Sequence, residues 1–231
     1  MTAALEVQPI SYRQRTQSVH RQPHSKTNRT TRRKHLSTES IPANRITFKR
    51  HDRISFVNHS LWRIHSGYVR SLTWNAEGEP VPLGFWSVGD VVGYPLAQTC
   101  PYEAECITAV EAEYLSVSHP LSREMVLGQI RQSNSLLRIA HCRDSQQRIL
   151  QFVCWLAEHF GTATATGIQI SLKLTHQEIA DSIGTTRVTV TRLLKALESK
   201  GHIVWRTHEK MVFRKTFEQC YIRSGLTSRH I

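Results

Sequence analysis

The apolar positions of this chain change period twice. Between residues 46 and 117 they fall in short segments with two-residue alternation, separated by turn residues, which predicts an all-β sandwich or barrel. Tyr68, Arg70, Leu72 and Trp74 share one strand face, and residues 75–78 make a hairpin turn. Pro80 and Pro82 put the next segment at a sheet edge or a bulge, because proline cannot donate to a central ladder. From about Leu121 to His141 the period lengthens to that of a helix. Val126, Ile130, Ser133, Leu137 and Ala140 recur there at alternating four- and three-residue steps. That stripe is either the seam of two helices paired along their length or a face packed on the helix's own β domain. An amphipathic helix carrying Ile149, Phe152, Val153 and Leu156 follows.

The third regime begins at Leu174. Thr175 and Glu178 have capping-box spacing, and Leu174 with Ile179 fits the hydrophobic staple, so a helix starts at His176. Ile179 and Ile183 share its apolar face, Ala180 leaves room for a crossing helix, and Gly184 supplies the left-handed residue that ends it. Thr185 or Thr186 caps a second helix that runs to about Ser199 and stops at Gly201. One side of this helix carries Val190, Leu193, Leu194 and Leu197; the other carries Arg187, Val188, Thr191, Arg192 and Lys195. Residues 203–206 and 210–213 read as two strands around a polar turn, a wing. Two short helices, a sharp turn and a cationic outer face describe a reader of the DNA major groove, with Thr175, His176, Thr186, Arg187, Val188, Thr191, Arg192 and Lys195 as its contact residues. A solvated helical hairpin is the plainer alternative. Val188 counts against it, since an apolar β-branched residue between two arginines gains nothing in water but can meet a thymine methyl.

Charge sharpens this picture. The formal net charge is +12 over 231 residues, and it is concentrated at the two ends while residues 41–174 are nearly balanced. Residues 1–44 are basic, polar and poor in large apolar side chains, the composition of a disordered tail. The run at 32–34 offers nonspecific phosphate contacts. No apolar run approaches the roughly 18 residues of a membrane span, so a cytoplasmic protein without membrane contact is expected. Five cysteines without close paired spacing argue for free thiols, with Cys100 and Cys106 as a candidate switch. The 13 histidines are scattered, so no metal site is expected. No P-loop, GxSxG or HExxH motif is present, so no catalytic residues are assigned and an enzyme is not expected.

The Ala180 and Gly184 spacing, the segment Thr-Arg-Val-Thr-Val-Thr-Arg-Leu-Leu at 186–194 and the wing resemble the DNA-binding end of the CRP/FNR family of bacterial transcription regulators. The recognition helix is most similar to that of the cyanobacterial nitrogen-control branch. The likeness extends, more weakly, to residues 61–64, 66–67, 77–78 and 89–93, which resemble a β-roll with Gly67, Gly89 and Gly93 as turn glycines. What the resemblance implies is an α+β chain. A basic tail (1–44) would precede a jelly-roll-like β-roll sensor of the cyclic-nucleotide-binding type (45–118), a dimerisation helix (119–143), a hinge at 142–144 and a winged helix-turn-helix (144–231). It implies a homodimer on palindromic double-stranded operators, contact with RNA polymerase when activating, and, from the nitrogen-control branch, half-sites of the GTA/TAC kind. Many family members carry glutamate where this chain has Val188, so the base preferred at that step should differ.

Effector control is the open part. In cyclic-nucleotide-binding members a glutamate for the ribose and an arginine for the phosphate follow the glycine matching Gly93; here those positions are Tyr94 and Glu103, which counts against cyclic AMP. The nitrogen-control branch binds 2-oxoglutarate, whose two carboxylates need cations. Arg70, Arg123 and Arg131, with Gly93 and Tyr94, are the candidates for such a pocket. A sensor domain without effector serves equally well, and an effector-independent architectural or nonspecific nucleic-acid-binding protein is the rival from another class.

Overall fold

In the computed structural model the described residues are 45–56 and 60–224; the basic tail expected over 1–44 lies outside them. The elements in order are β1 (Arg45–Phe48), β2 (Arg53–Ile54), β3 (Leu61–Ser66), β4 (Val69–Trp74), β5 (Pro80–Trp86), β6 (Val91–Val92), α1 (Tyr94–Ala97), β7 (Glu103–Cys106) and β8 (Val110–Leu115). Then come α2 (Arg123–Ala140), α3 (Ser145–Phe160), β9 (Gly161–Ala163), β10 (Gly167–Ile170), α4 (His176–Ile183), α5 (Arg187–Ser199), β11 (Ile203–Trp205), β12 (Lys210–Phe213) and α6 (Arg214–Ser224).

Strands β1 to β8 form two antiparallel sheets, ordered β1-β8-β3-β6 and β2-β7-β4-β5. Alternate residues of both sheets, among them Ile64, Val69, Trp86, Cys106 and Ala112, fill one core. Gly67 turns β3 into β4 at φ 83°, and a Cβ there would lie 2.1 Å from the Ala109 carbonyl oxygen, so only glycine fits. The proline-bearing segment is an edge strand, β5, and its register slips beside Pro82 where Leu83 is left over. Gln132 of α2 covers part of that edge: Phe85 donates its N–H to Gln132 Oε1 and Gln132 Nε2 donates to the Phe85 carbonyl, both at 2.7 Å.

Helix α2 buries Gln132, Leu136 and Ile139. The apolar stripe seen in the sequence lies elsewhere on it: Val126 is 40% exposed, Ile130 50% and Leu137 60%, and Ser133 and Ala140 are open as well. The apolar members of the stripe are thus largely open to solvent, while Ser133, Leu137 and Ala140 border the cleft beside β5. The helix meets the sheet with the neighbouring face, and the stripe is left uncovered within one chain.

Asp144 caps α3 by accepting from the Gln146 and Gln147 amides. The helix is buried almost all round, with Ile149, Phe152, Val153, Trp155, Leu156 and Phe160 inside. The outer face of β4 and β5 meets it: Phe85 lies 6.2 Å from Phe152 and 5.9 Å from Trp155 by ring centroids, and Tyr68 stands edge-on to Phe160 at 5.7 Å. One apolar cluster thus runs from the β-roll through α3 to α4, α5 and the wing, across the boundary expected near residue 144. The wing is also larger than the two strands expected, because the β9–β10 hairpin completes a four-stranded sheet ordered β11-β12-β10-β9. Replacing Phe85 by Ala should cost roughly 3–5 kcal/mol of stability by denaturant unfolding, since its ring is 1% exposed and central to this contact; a loss below about 1 kcal/mol would show that the two parts are held by something else.

Candidate nucleic-acid interface

The turn between α4 and α5 is built by local hydrogen bonds. Thr175 Oγ1 accepts the Glu178 amide at 3.2 Å, while the Thr175 amide donates to Glu178 Oε2 at 2.6 Å, closing the capping box. Gly184 sits at φ 60°, and Thr186 caps α5 by accepting from the Thr189 amide at 3.2 Å. Arg148, on α3, locks the same turn: its Nη1 donates to the Ile183 carbonyl at 3.0 Å and to that of Gly184 at 3.3 Å, and its Nε donates to the Cys142 carbonyl at 2.8 Å. A cation at the end of α4 complements the helix dipole and ties the turn to the hinge. Sequence reading missed it, because its two partners in the turn are 35 and 36 residues away.

Helix α5 buries Val190, Leu193, Leu194 and Leu197. Its opposite face presents Arg187, Arg192 and Lys195 in the open, with Val188 77% exposed. None of the ion pairs among the described residues engages those three cations. The hydroxyls behave differently. Those of Thr175 and Thr186 serve as caps, and Thr191 Oγ1 donates to the Arg187 carbonyl at 2.9 Å. With that proton committed, Thr191 accepts from His176 Nδ1 at 2.8 Å, which makes Nδ1 the protonated ring nitrogen and clamps the start of α4 to the first turn of α5. Glu198 Oε1 accepts the Trp205 amide at 2.8 Å and so fixes the far end of α5 to the wing. Beneath that wing Lys210 Nζ lies 5.5 Å from the Trp205 ring; burial, then the charge of Lys173, lowers its pKa.

The cations proposed for an effector pocket are not brought together. Arg70 reaches away from the β-roll to α4: its Nη2 is 2.8 Å from Glu105, and its Nη1 stands 3.9 Å from Glu178 and 4.0 Å from Asp181. Arg131 pairs with Glu124 at 2.8 Å, and Arg123 lies exposed at the start of α2. Gly93 is packed so closely that a Cβ would come within 2.6 Å of the Ser60 carbonyl oxygen, and Tyr94 opens α1. None of these five lines the cleft of about 660 Å³ between β4–β5, α2 and α4, where Ser71, Trp86, Tyr102, Gln129, Ser133 and Asp181 face inward and no lysine or arginine does. Tyr102, unremarked in the sequence, has its pKa pushed up to about 12 by burial, against hydrogen bonds from the Gly93 amide and Ser71. Glu103 turns to Arg53 at 2.8 Å. Of the Cys100 and Cys106 pair, Cys100 is exposed and Cys106 is fully buried, where burial followed by the charges of Asp52 and Glu105 pushes its thiol up to about 12.

A capped two-helix reader with a bare cationic face and a flanking four-stranded wing defines a DNA-binding transcription regulator. Residues 147–215 match the Crp-like helix-turn-helix domain. The chain is similar to the regulatory protein CysR of Synechococcus elongatus, 43% identical over 148 residues that cover 62% of this chain and 71% of that protein. It is 31% identical to a global nitrogen regulator of Nostoc over 197 residues, 77% of this chain and 87% of the relative. In three dimensions it resembles a CRP-family transcriptional regulator from Thermus thermophilus, with a TM-score of 0.62 and 20% identity over 79% of this chain and 97% of that one. The chain belongs to the CRP/FNR family of transcription regulators.

Burial, then the charges of Arg187 and Lys210, lowers the His176 pKa below its ordinary 6.5. The unfolded chain therefore takes up this proton first, and stability should fall as pH drops from about 6.5 towards the lower folded value. In a series of denaturant midpoints across that interval, His176→Gln should flatten the slope; an unaltered slope would remove His176 as its source.

Proposed function

We propose that the protein binds palindromic promoter sites as a homodimer and reads them with the outer face of α5. The carrying observation is that Arg187, Val188, Arg192 and Lys195 stand exposed on one helix face while every large apolar side chain of the opposite face is buried. With α5 in the major groove, Arg187 at its amino-terminal end makes the bidentate contact to guanine, Val188 meets a thymine methyl, Arg192 reaches a second base or a phosphate, and Lys195 meets phosphate. Thr175, His176, Thr186 and Thr191 act mainly by holding the two helices in register, since their side chains are already hydrogen-bonded within the motif.

The partner subunit is a second copy. The exposed stripe Val126, Ile130, Ser133, Leu137 and Ala140 has coiled-coil spacing along the 18-residue α2, and pairing two such stripes sets two reading helices about one DNA turn, ~34 Å, apart. On this reading residues 45–118 are the sensor, 119–143 the dimer helix and 144–231 the reading head. The protein works on cytoplasmic DNA and touches RNA polymerase when activating. For the effector, the 660 Å³ cleft has no arginine or lysine in its lining and suits an uncharged ligand or none, whereas Arg131 and Arg138 line a separate cavity of about 780 Å³ between β5, α2 and α3 and leave an anionic ligand such as 2-oxoglutarate a place there. A nonspecific architectural role is disfavoured by Val188, which adds nothing to phosphate binding.

Selection from random duplexes should return inverted GTA/TAC half-sites; TGTGA-type half-sites or no preference would reject the specificity. Arg187→Ala should cost about 1–3 kcal/mol and relax one base position, whereas Lys195→Ala should weaken all sequences alike and reduce the salt slope by about one. Equal effects would contradict this division. Ile130→Asp should convert the dimer to monomer in sedimentation and abolish operator binding, and a dimer that persists would place the interface elsewhere.

A further inference from the structure

Cys154 and Cys220 are 66 residues apart in sequence, yet their sulfurs are 2.7 Å apart where α6 packs on α3. They differ in setting. Cys154 is 6% exposed within the apolar cluster, while Cys220 is partly open. Cys154 donates its S–H to the Cys220 sulfur, and that hydrogen bond, burial and the negative charge of Glu158 hold the Cys154 thiol well above its ordinary pKa. Cys220, half-buried against the apolar cluster, is thus the more accessible sulfur, and Cys154 is the enclosed one. The remaining described cysteines have other surroundings: Cys106 is in the β-roll core, Cys100 is exposed on the β-roll, and Cys142, half-buried at the hinge, has its sulfur against the Asp144 carbonyl and Gln151.

We infer that Cys154 and Cys220 are a peroxide-reactive pair that closes to an intramolecular disulfide, a modification site within the DNA-binding end. The Cys220 sulfur attacks one peroxide oxygen; the O–O bond breaks, a sulfenic acid forms, and the second oxygen takes the Cys220 thiol proton and leaves as water or an alcohol. Cys154 sulfur then attacks the sulfenic sulfur, the S–S bond forms as the S–O bond breaks, and the departing oxygen takes the Cys154 proton to leave as water. Two thiols are oxidised by two electrons and one peroxide is reduced. The sulfurs need to close to about 2.05 Å, a small movement for two neighbouring side chains. The covalent loop so formed contains α4, α5 and all four strands of the wing sheet. Oxidation would thus staple the last helix to α3 around the whole reading head, stabilising it by restricting the unfolded chain.

The test uses the full chain carrying Cys100→Ser and Cys142→Ser, treated with hydrogen peroxide, alkylated and mapped by mass spectrometry. The expected product is lighter by two hydrogen atoms, contains one peptide pair joined through Cys154 and Cys220, has a higher Tm than the reduced form, and reverts with dithiothreitol. In Cys154→Ser the sulfenic acid at Cys220 should persist and be trapped by dimedone. Should that variant not fold, Cys220→Ser should yield no linked peptide and no dimedone adduct at Cys154. The inference is overturned if Cys220 is oxidised while Cys154 stays open to alkylation, if the link joins Cys106 or two chains, or if both thiols survive peroxide that consumes Cys100 in the unaltered protein.

Discussion

Burial of α3 is the constraint on which the rest of the structure rests. A 16-residue helix with eight buried side chains has no polar face broad enough for solvent, so it must be enclosed by other elements. At about 1.5–3 kcal/mol for each large apolar side chain removed from water, its core residues outweigh any single polar contact in the molecule. Phe85 and Tyr68 cover it from the β-roll, α4 and α5 from the DNA-reading side, and the β9–β10 hairpin and α6 from the wing. The two helices α4 and α5 are thereby mounted on an element that also touches the β-roll. A displacement of α3 against Phe85 would move both.

Around that apolar contact the polar groups decide the register. Arg70 faces three carboxylates, Glu105 from its own sheet and Glu178 and Asp181 from α4, in a site where its side chain is only 12% exposed. Burial alone would raise the Glu105 pKa, but hydrogen bonds from His51 and Arg70, with the Arg70 charge, hold it below its usual value. An ion cluster of this kind adds little net stability once desolvation is counted, yet it penalises any arrangement that leaves a carboxylate facing apolar surface. Arg148 does the same for the α4–α5 turn, where its guanidinium takes carbonyl oxygens that the helix end leaves without partners. The cations of the outer α5 face have no such partners among the described residues.

Much of this was legible in the sequence where neighbours in the chain determine the outcome. The capping box at Thr175 and Glu178, the left-handed Gly184, the Thr186 cap and the inward and outward faces of α5 each depend on residues within one or two helical turns. The edge or bulged character of β5 followed from two prolines, whereas the spacing of the α2 stripe left open what it would face. Other readings failed because they needed the fold. Arg70 was assigned to a ligand pocket by its strand position, but strand alternation turns it outward to α4. Tyr102 and Ser71, which face the cleft, carry no local signature. The β9–β10 hairpin is short and has few large apolar residues, and gains its place by pairing with β12.

Residue order alone settled the two-helix reader, its caps and its bare cationic face, because backbone hydrogen bonds and helical period act over a few residues. Where each charge and thiol found its partner was a matter for the folded chain. Arg70 with Asp181, Arg148 with Gly184 and Cys154 with Cys220 are separated by tens of residues, and their meeting is dictated by how the apolar faces of α3 are enclosed. Periodicity says that a face will be buried. It does not say against what, since the hydrophobic effect that drives burial has no direction of its own.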